Sequence, residues 1–326
     1  MKRLFAAGAV IAVAVAAVLM PTTREAVFEF VAPPRPITLV AFGDMMLDRG
    51  VRTQINKNGL QYPFKKIKDL VSSADIAVVN AEGPFTHNES VHSTATTSLR
   101  FTFDPALLAT LKEVGFDVLA QANNHTLDFG QEGLEESKQA IAAAGLGVFG
   151  DPLNRAPVAY VQDVRGTRVA FVGYHQFFTP DDSVVLAAIV QAKREGGFVV
   201  VYPHWGEEYL ATSTEFQRAE AHKFVDAGAD VVLGAHPHVA QPVEVYKGRA
   251  IFYSLGNFVF DQNWSKETSQ GVAIRLTLSK NEAAYEVLPF AIVRGQPQMM
   301  EEVQATEYLA VHGLPAQFVL QRYYND

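Results

Sequence analysis

Three histidine-bearing segments have the residue types for metal chemistry: Asn123-Asn124-His125, His204-Trp205-Gly206 and Gly234-Ala235-His236-Pro237-His238. Each follows a short apolar run, at residues 116–120, 198–202 and 230–233, that reads as a buried strand. An open parallel sheet binds ligands beyond the carboxyl ends of its strands, so these imidazoles are delivered to one edge. Gly43-Asp44 and Asn80-Ala81-Glu82 lie past two further runs, 37–42 and 76–79, and supply the carboxylates. His236 and His238 are two apart, so both rings can face one cleft. A lone His-x-His is better explained by a structural or surface role, and a lone His204 more so. The recurrence of such residues at successive strand ends is what favours a site.

Oxygen and imidazole donors without thiolates suit manganese, iron(II), zinc or cobalt. Two such ions roughly 3.5–4 Å apart, bridged by a carboxylate, could clamp a phosphoryl group and make hydroxide from bound water. On that reading Glu82 bridges, Asp44 and His238 serve one ion, and Asn124, His204 and His236 serve the other. One or two divalent ions are the expected cofactor. His125 is then free to protonate a leaving group or stabilise developing charge. Asn123 and Asn124 also suit a turn before a helix. Asp128 either orients His125 or caps that helix, and Glu208 would support His204 as an acceptor. Asn257 lies in a Gly-Asn turn with a plain structural explanation, and Arg100 reads as a phosphate contact or a solvated face residue. His87, His92, His175 and His222 receive no role, and Met45 and Met46 read as packing residues.

The elements that must hold these groups alternate. Strands are expected at 37–42, 75–80, 116–122, 168–174, 198–203, 230–235 and 249–254, and helices near 60–73, 104–114, 131–144, 183–195 and 214–227. Gly115, Gly145 and Gly228 stand where helices should stop, and Thr214 with Gln217 has the pattern of a capping box. This alternation implies an α/β fold with a largely parallel sheet covered by helices. From 271 to 293 the pattern is strand-like without helices, which suggests antiparallel strands completing a second sheet. Residues 299–326 read as a helical tail.

The 326 residues suffice for a large core, and 48% apolar with 19% charged residues argues against disorder. A net charge of -8 with no basic run disfavours a nucleic-acid partner. The absence of cysteine removes disulfides, thiolate ligands and cysteine nucleophiles together. Lys2 and Arg3 precede an apolar stretch at 4–20, then a proline-rich linker over 21–36. Basic residues before such a stretch mark an export signal, and the lack of a small-x-small cleavage pattern favours an uncleaved anchor. The expected placement is the extracytoplasmic face of the cell membrane, with secretion or a periplasmic location after cleavage as the alternative. Residues 37–298 would form the folded domain.

The ordered motifs carry a resemblance. They are Gly43-Asp44-Met45-Met46, Asn80-Ala81-Glu82-Gly83-Pro84, Asn123-Asn124-His125 through Gly130, and His204-Trp205-Gly206-Glu207-Glu208-Tyr209. Gly234-Ala235-His236-Pro237-His238 and Tyr253-Ser254-Leu255-Gly256-Asn257-Phe258 follow. Over about residues 37–262 the chain resembles the poly-γ-glutamate capsule biosynthesis proteins of CapA type, a branch of the calcineurin-like metallophosphoesterases. The resemblance implies a four-layer αββα sandwich behind a membrane anchor, acting in synthesis or export of an anionic polymer beside a membrane synthase. It also implies Asp44, Glu82, Asn124, His204, His236 and His238 as ligands and His125 as the catalytic histidine. Two departures from the wider superfamily stand out: Met46 replaces the histidine of the first motif, and Glu82 replaces an aspartate bridge. Two functions are therefore expected to compete. One is an anchored metal-dependent hydrolase of a phosphoester or a γ-glutamyl polymer. The other is a non-catalytic accessory protein that binds an anionic polymer; a fold that has lost its metal is a third reading.

Overall fold

Strand runs that are apolar on both faces need cover on both sides, and here two mixed sheets and their helices supply it. The structure is a computed structural model that describes residues 35–91, 99–178 and 181–322. In the first sheet β1 (Ile37–Met45), β2 (Ile76–Ala81), β3 (Val118–Ala120) and β4 (Gly147–Phe149) run parallel. The second begins with β5 (Ala159–Val164), antiparallel to β6 (Thr167–His175). Parallel to β6 follow β7 (Phe198–His204), β8 (Val231–Leu233) and β10 (Arg249–Phe252), with β9 (Val243–Tyr246) antiparallel at the edge. The chain then returns to the first sheet. Strand β11 (Asn257–Val259) pairs in parallel with the end of β1, and β12 (Gln270–Leu278) lies antiparallel beside it. Strands β13 (Glu282–Val293) and β14 (Gln296–Met299) extend that side.

Side-chain alternation sorts the core into three layers. Leu39, Ala41, Ile76 and Val78 meet Val200, Tyr202, Val231 and Leu233 between the sheets. Their neighbours Val40, Phe42, Ala77 and Val79 face outward, onto Leu107 and Leu111 of α3 (Ala106–Val114) and Ile141 of α4 (Gly130–Ala143). Val199, Val201 and Val232 pack on Val185 and Ile189 of α5 (Ser183–Arg194) and Phe224 of α6 (Glu215–Ala227). The capping box at Thr214 forms, with Gln217 N–H donating to Thr214 Oγ1 at 3.1 Å and Thr214 N–H to Gln217 Oε1 at 2.9 Å.

Several elements differ from expectation. The helix expected over 60–73 is a 3-10 turn at Tyr62–Phe64 followed by α2 (Lys68–Ser72), because Pro63 cannot donate within a longer helix. Ahead of it stands α1 (Arg49–Asn58), which buries only Val51 and Ile55 and so has little apolar periodicity to read. The tail forms α7 (Glu302–Val311) and then β15 (Gln317–Gln321), which pairs with β13. The expected membrane anchor requires correction. Residues 4–20 lie outside the described residues, and among the described residues no helix is long and apolar enough to cross a membrane. The described fold is therefore two mixed sheets with flanking helices and no membrane span, and the cell-membrane placement built on the anchor is withdrawn with it.

The strand ends that carry the site approach one another main chain to main chain. A Cβ on Gly43 would stand 1.8 Å from the Gly256 carbonyl oxygen, and one on Gly234 would stand 2.0 Å from that of Tyr253. Only glycine permits either approach.

Candidate metal centre

Asp44 sits at the end of β1 and Glu82 one residue past β2, both fully buried. Asp44 is well held: Asn80 Nδ2 donates to its Oδ1 at 2.8 Å, and the His236 N–H donates to its Oδ2 at 3.0 Å. Glu82 is not. Neither of its carboxylate oxygens has a hydrogen-bond partner in the structure. Burial pushes the Asp44 carboxyl up to about 7. It lifts Glu82 well above the usual carboxylate range, and the neighbouring Asp44, Glu208 and Asp128 add to the shift. Two adjacent buried carboxylates of this kind need a cation if both are to ionise.

The imidazoles surround them. The Asn80 orientation is fixed by its bond to Asp44 and by Asn123 Nδ2 donating to Asn80 Oδ1 at 3.0 Å. Its amide therefore faces His204 Nδ1 at 3.3 Å, which leaves the His204 proton on Nε2. That nitrogen meets Asn124 Oδ1 at 2.9 Å, His236 Nδ1 at 3.1 Å and Glu82 Oε1 at 3.9 Å. Four potential ligand atoms thus converge at one point: His204 Nε2, Asn124 Oδ1, His236 Nδ1 and Glu82 Oε1. His238 Nδ1 bonds Asn257 Oδ1 at 2.9 Å, and Asn257 Nδ2 is itself committed to Gln262 Oε1 and the Thr268 carbonyl. The His238 Nε2 lone pair then faces Glu82 Oε1 at 3.8 Å. Burial depresses all three rings: His204 well below its ordinary value, His236 to about 2 and His238 to about 3. Neutral imidazoles are the form that ligates.

Three groupings place their donor atoms within 4.8 Å of one another: Glu82, His204 and His236; Asp44, Glu82 and His238; and Glu208, His236 and His238. The cluster is compatible with a divalent metal site. Glu208 is exposed and stands by His236 and His238. His125 Nδ1 pairs with Asp128 Oδ2 at 2.9 Å, and its ring lies 4.1 Å from that of Phe101. Asp128 therefore orients His125. Arg100 donates to the Asp128 carbonyl at 2.8 Å and spreads over Phe129, so it fastens this loop. The asparagine pair divides its labour: Asn123 holds Asn80 and the turn at Thr126, while Asn124 faces His204. The Met46 sulfur accepts the Asp48 N–H at 3.2 Å and is buried among apolar side chains.

Sequence reasoning passed over Asn80, His175 and a set of aromatics. His175 ends β6 in register with His204 on β7, and their ring centroids are 5.9 Å apart. Its Nδ1 donates to the Pro152 carbonyl at 2.8 Å, while the buried Nε2 has no partner in the structure. Asn154 clamps the same residue through both its main-chain N–H and carbonyl, at 2.9 and 2.8 Å. Burial lowers His175 to about 4. The signal was present, since His175 follows the apolar run 168–174 and Gln176 stands next to it.

A family model described as bacterial capsule synthesis protein PGA_cap matches residues 38–262. The chain is 33% identical over 311 residues to the capsule biosynthesis protein CapA of Bacillus anthracis, covering 87% of this chain and 75% of that one. It is 32% identical over 274 residues to the PGA biosynthesis protein CapA of Bacillus subtilis, covering 78% and 71%. A relative in Mycobacterium tuberculosis, named as a probable polyglutamine synthesis accessory protein, is 29% identical over 219 residues, covering 58% and 57%.

Proposed function

The chain belongs to the bacterial capsule synthesis protein family, and we propose that it is an extracytoplasmic accessory protein that binds an anionic polymer of poly-γ-glutamate type through a divalent metal centre. A membrane polymer synthase is the partner to which it would present that polymer. This replaces the membrane-anchored hydrolase expected from the sequence. No described helix is long and apolar enough to cross a membrane, and the relatives are named for biosynthesis and accessory roles.

The observation that carries the proposal is the unpartnered Glu82 carboxylate, buried among neutral imidazoles. Glu82, His204 and His236 with Asn124 would hold one ion, and Asp44, Glu82 and His238 a second. Oxygen and nitrogen donors of this kind suit manganese, zinc or iron(II). The bound cation supplies positive charge to a carboxylate of the polymer. Asn80, Asn257 and the Asp44–His236 bond keep the donors in position.

The test is calorimetric titration of poly-γ-glutamate into the manganese-loaded and chelator-treated protein, with polymer length followed by gel filtration. Binding that requires metal, is abolished by Glu82→Gln and leaves chain length unchanged is the expected result. Binding indifferent to chelation overturns the proposal, and progressive shortening of the polymer would make the protein a hydrolase.

A further inference from the structure

Among the described residues four aromatic side chains are more than a third exposed: Phe177 at 42%, Phe178 at 47%, Tyr209 at 47% and Trp264 at 59%. Phe177 and Tyr209 lie against candidate ligand imidazoles, and Phe178 and Trp264 stand beside them. The Phe177 ring lies 4.4 Å from that of His236, and Phe178 lies 4.8 Å from His175. On the other side Tyr209 stacks on His238 at 6.0 Å, and Trp264 stands edge-on to Tyr209 at 6.0 Å. Exposed aromatics scattered over a surface need no explanation, but a set confined to the mouth of one site does.

The walls are held in place. Tyr209 takes a left-handed backbone, φ 65°, and its N–H donates to the Pro237 carbonyl at 2.8 Å, so it is tied to the His-Pro-His loop itself. Gln262 Nε2 reaches the Tyr209 hydroxyl at 3.4 Å from the segment that leads to Trp264. A cation stands on the same rim: the Arg49 guanidinium is 3.2 Å from Asp261 and lies over the Phe101 ring at 5.6 Å. Its charge acts at Glu82, His238 and Tyr209. The opening therefore carries Arg49, paired with Asp261, and the exposed Glu208 between flat apolar walls.

The geometry points to a subsite beyond the metal, in which Tyr209 and Trp264 on one side and Phe177 and Phe178 on the other pack against the chain of an amide-linked polyacid. This deepens the polymer-binding proposal and rests on it. A γ-linked glutamate chain carries two methylenes and a planar amide between successive carboxylate-bearing carbons. The metal takes a carboxylate, and the aromatic faces take the methylenes and the amide plane, for which burial of apolar area is the driving force. A polyphosphate has the charge without the apolar stem, so it would engage the metal alone. The site thus selects for what joins the charges as well as for the charges.

Trp264 touches none of the imidazoles directly and is largely exposed, so Trp264→Ala separates the subsite from the metal centre and from folding. The full chain loaded with manganese is titrated with a γ-glutamate decamer, with a polyphosphate of equal charge and with free glutamate. Expected for Trp264→Ala is an affinity for the decamer about five- to tenfold weaker. Manganese, polyphosphate and free glutamate should bind unchanged, and Trp264→Phe should restore most of the loss. Equal weakening for decamer and polyphosphate, or no weakening at all, overturns the subsite while leaving metal-dependent polymer binding intact. An anionic polysaccharide that binds more tightly than the decamer, with the same sensitivity to Trp264→Ala, reassigns the walls to sugar faces and also overturns it. Failure of the unaltered protein to bind the decamer in manganese strikes instead at the polymer-binding proposal.

Discussion

The Asp44 carboxylate accepts the main-chain N–H of His236 at 3.0 Å, and by that bond the first sheet fixes the loop that carries two imidazoles beyond the second. The same oxygen lies 3.6 Å from His238 Nδ1. His236 and His238 both adopt positive φ, 97° and 60°, a conformation that needs surrounding structure to hold it. Asp44 is thus a candidate ligand and a strut for the ligand loop at once.

Burial raises the folded-state values of Asp44, to about 7, and of Glu82. In the metal-free protein a raised carboxyl contributes stability that is fully present below its unfolded value of about 4 and is lost as pH rises through the folded value. The depressed imidazoles act oppositely, their contribution being present above about 6.5 and lost as pH falls toward their folded values. Glu82→Gln removes one raised carboxyl and leaves the imidazoles alone. In chelator its melting temperature should exceed that of the unaltered protein by a margin that widens from pH 5 to pH 8, and saturating manganese should reverse the order. A margin independent of pH would refute this.

His175→Asn keeps a donor for the Pro152 carbonyl and deletes the buried Nε2 that has no partner in the structure. Since that ring stands beside His204, with its free nitrogen available to the site, manganese affinity should fall. Free-manganese electron paramagnetic resonance reads this directly. Affinity equal to that of the unaltered protein would make His175 a packing residue.

His125→Ala tests for catalysis. It removes the ring held by Asp128 without touching Glu82, His204, His236 or His238. For a polymer-binding accessory protein, manganese content and polymer output in cells should both persist. Output lost with folding and metal content intact would mean that His125 acts on the polymer chemically.

Gly43→Ala places a methyl group 1.8 Å from the Gly256 carbonyl oxygen, where main chain on both sides cannot yield. The expected cost is about 3 kcal/mol or more in urea denaturation. A loss under 1 kcal/mol would show that β1 and β11 can part without penalty.

Much of this was legible because buried parallel strands announce themselves as apolar runs, and the polar residue that ends each run is exposed by contrast. Asp44, Glu82, His204, His236 and His238, which the fold brings into one cluster, stand out in that way. Asn80 was not, since an asparagine inside a strand has no sequence sign that it will bridge Asp44 and His204. The role of His175 depends on Pro152 and Asn154, which are brought to it only by folding. Helix α1 escaped because two buried residues make no stripe, and β11 looked like a turn because its partner is β1, far away in sequence. The anchor was inferred from composition alone and lies outside the described residues.

Strand β1 opens the described fold, yet its neighbours on one side, β11 and β12, are among the last strands in the chain. Asp44 N–H donates to the Gly256 carbonyl, and its carboxylate waits for His236. Pairings so distant in sequence form late, after the loop-closure entropy of the intervening chain has been met. A nascent or partly threaded chain therefore carries the carboxylates without the imidazoles, and the ion-binding cluster exists only once nearly the whole polypeptide has been delivered. Any ion the cluster takes would then be acquired by the folded chain, not by its early segments.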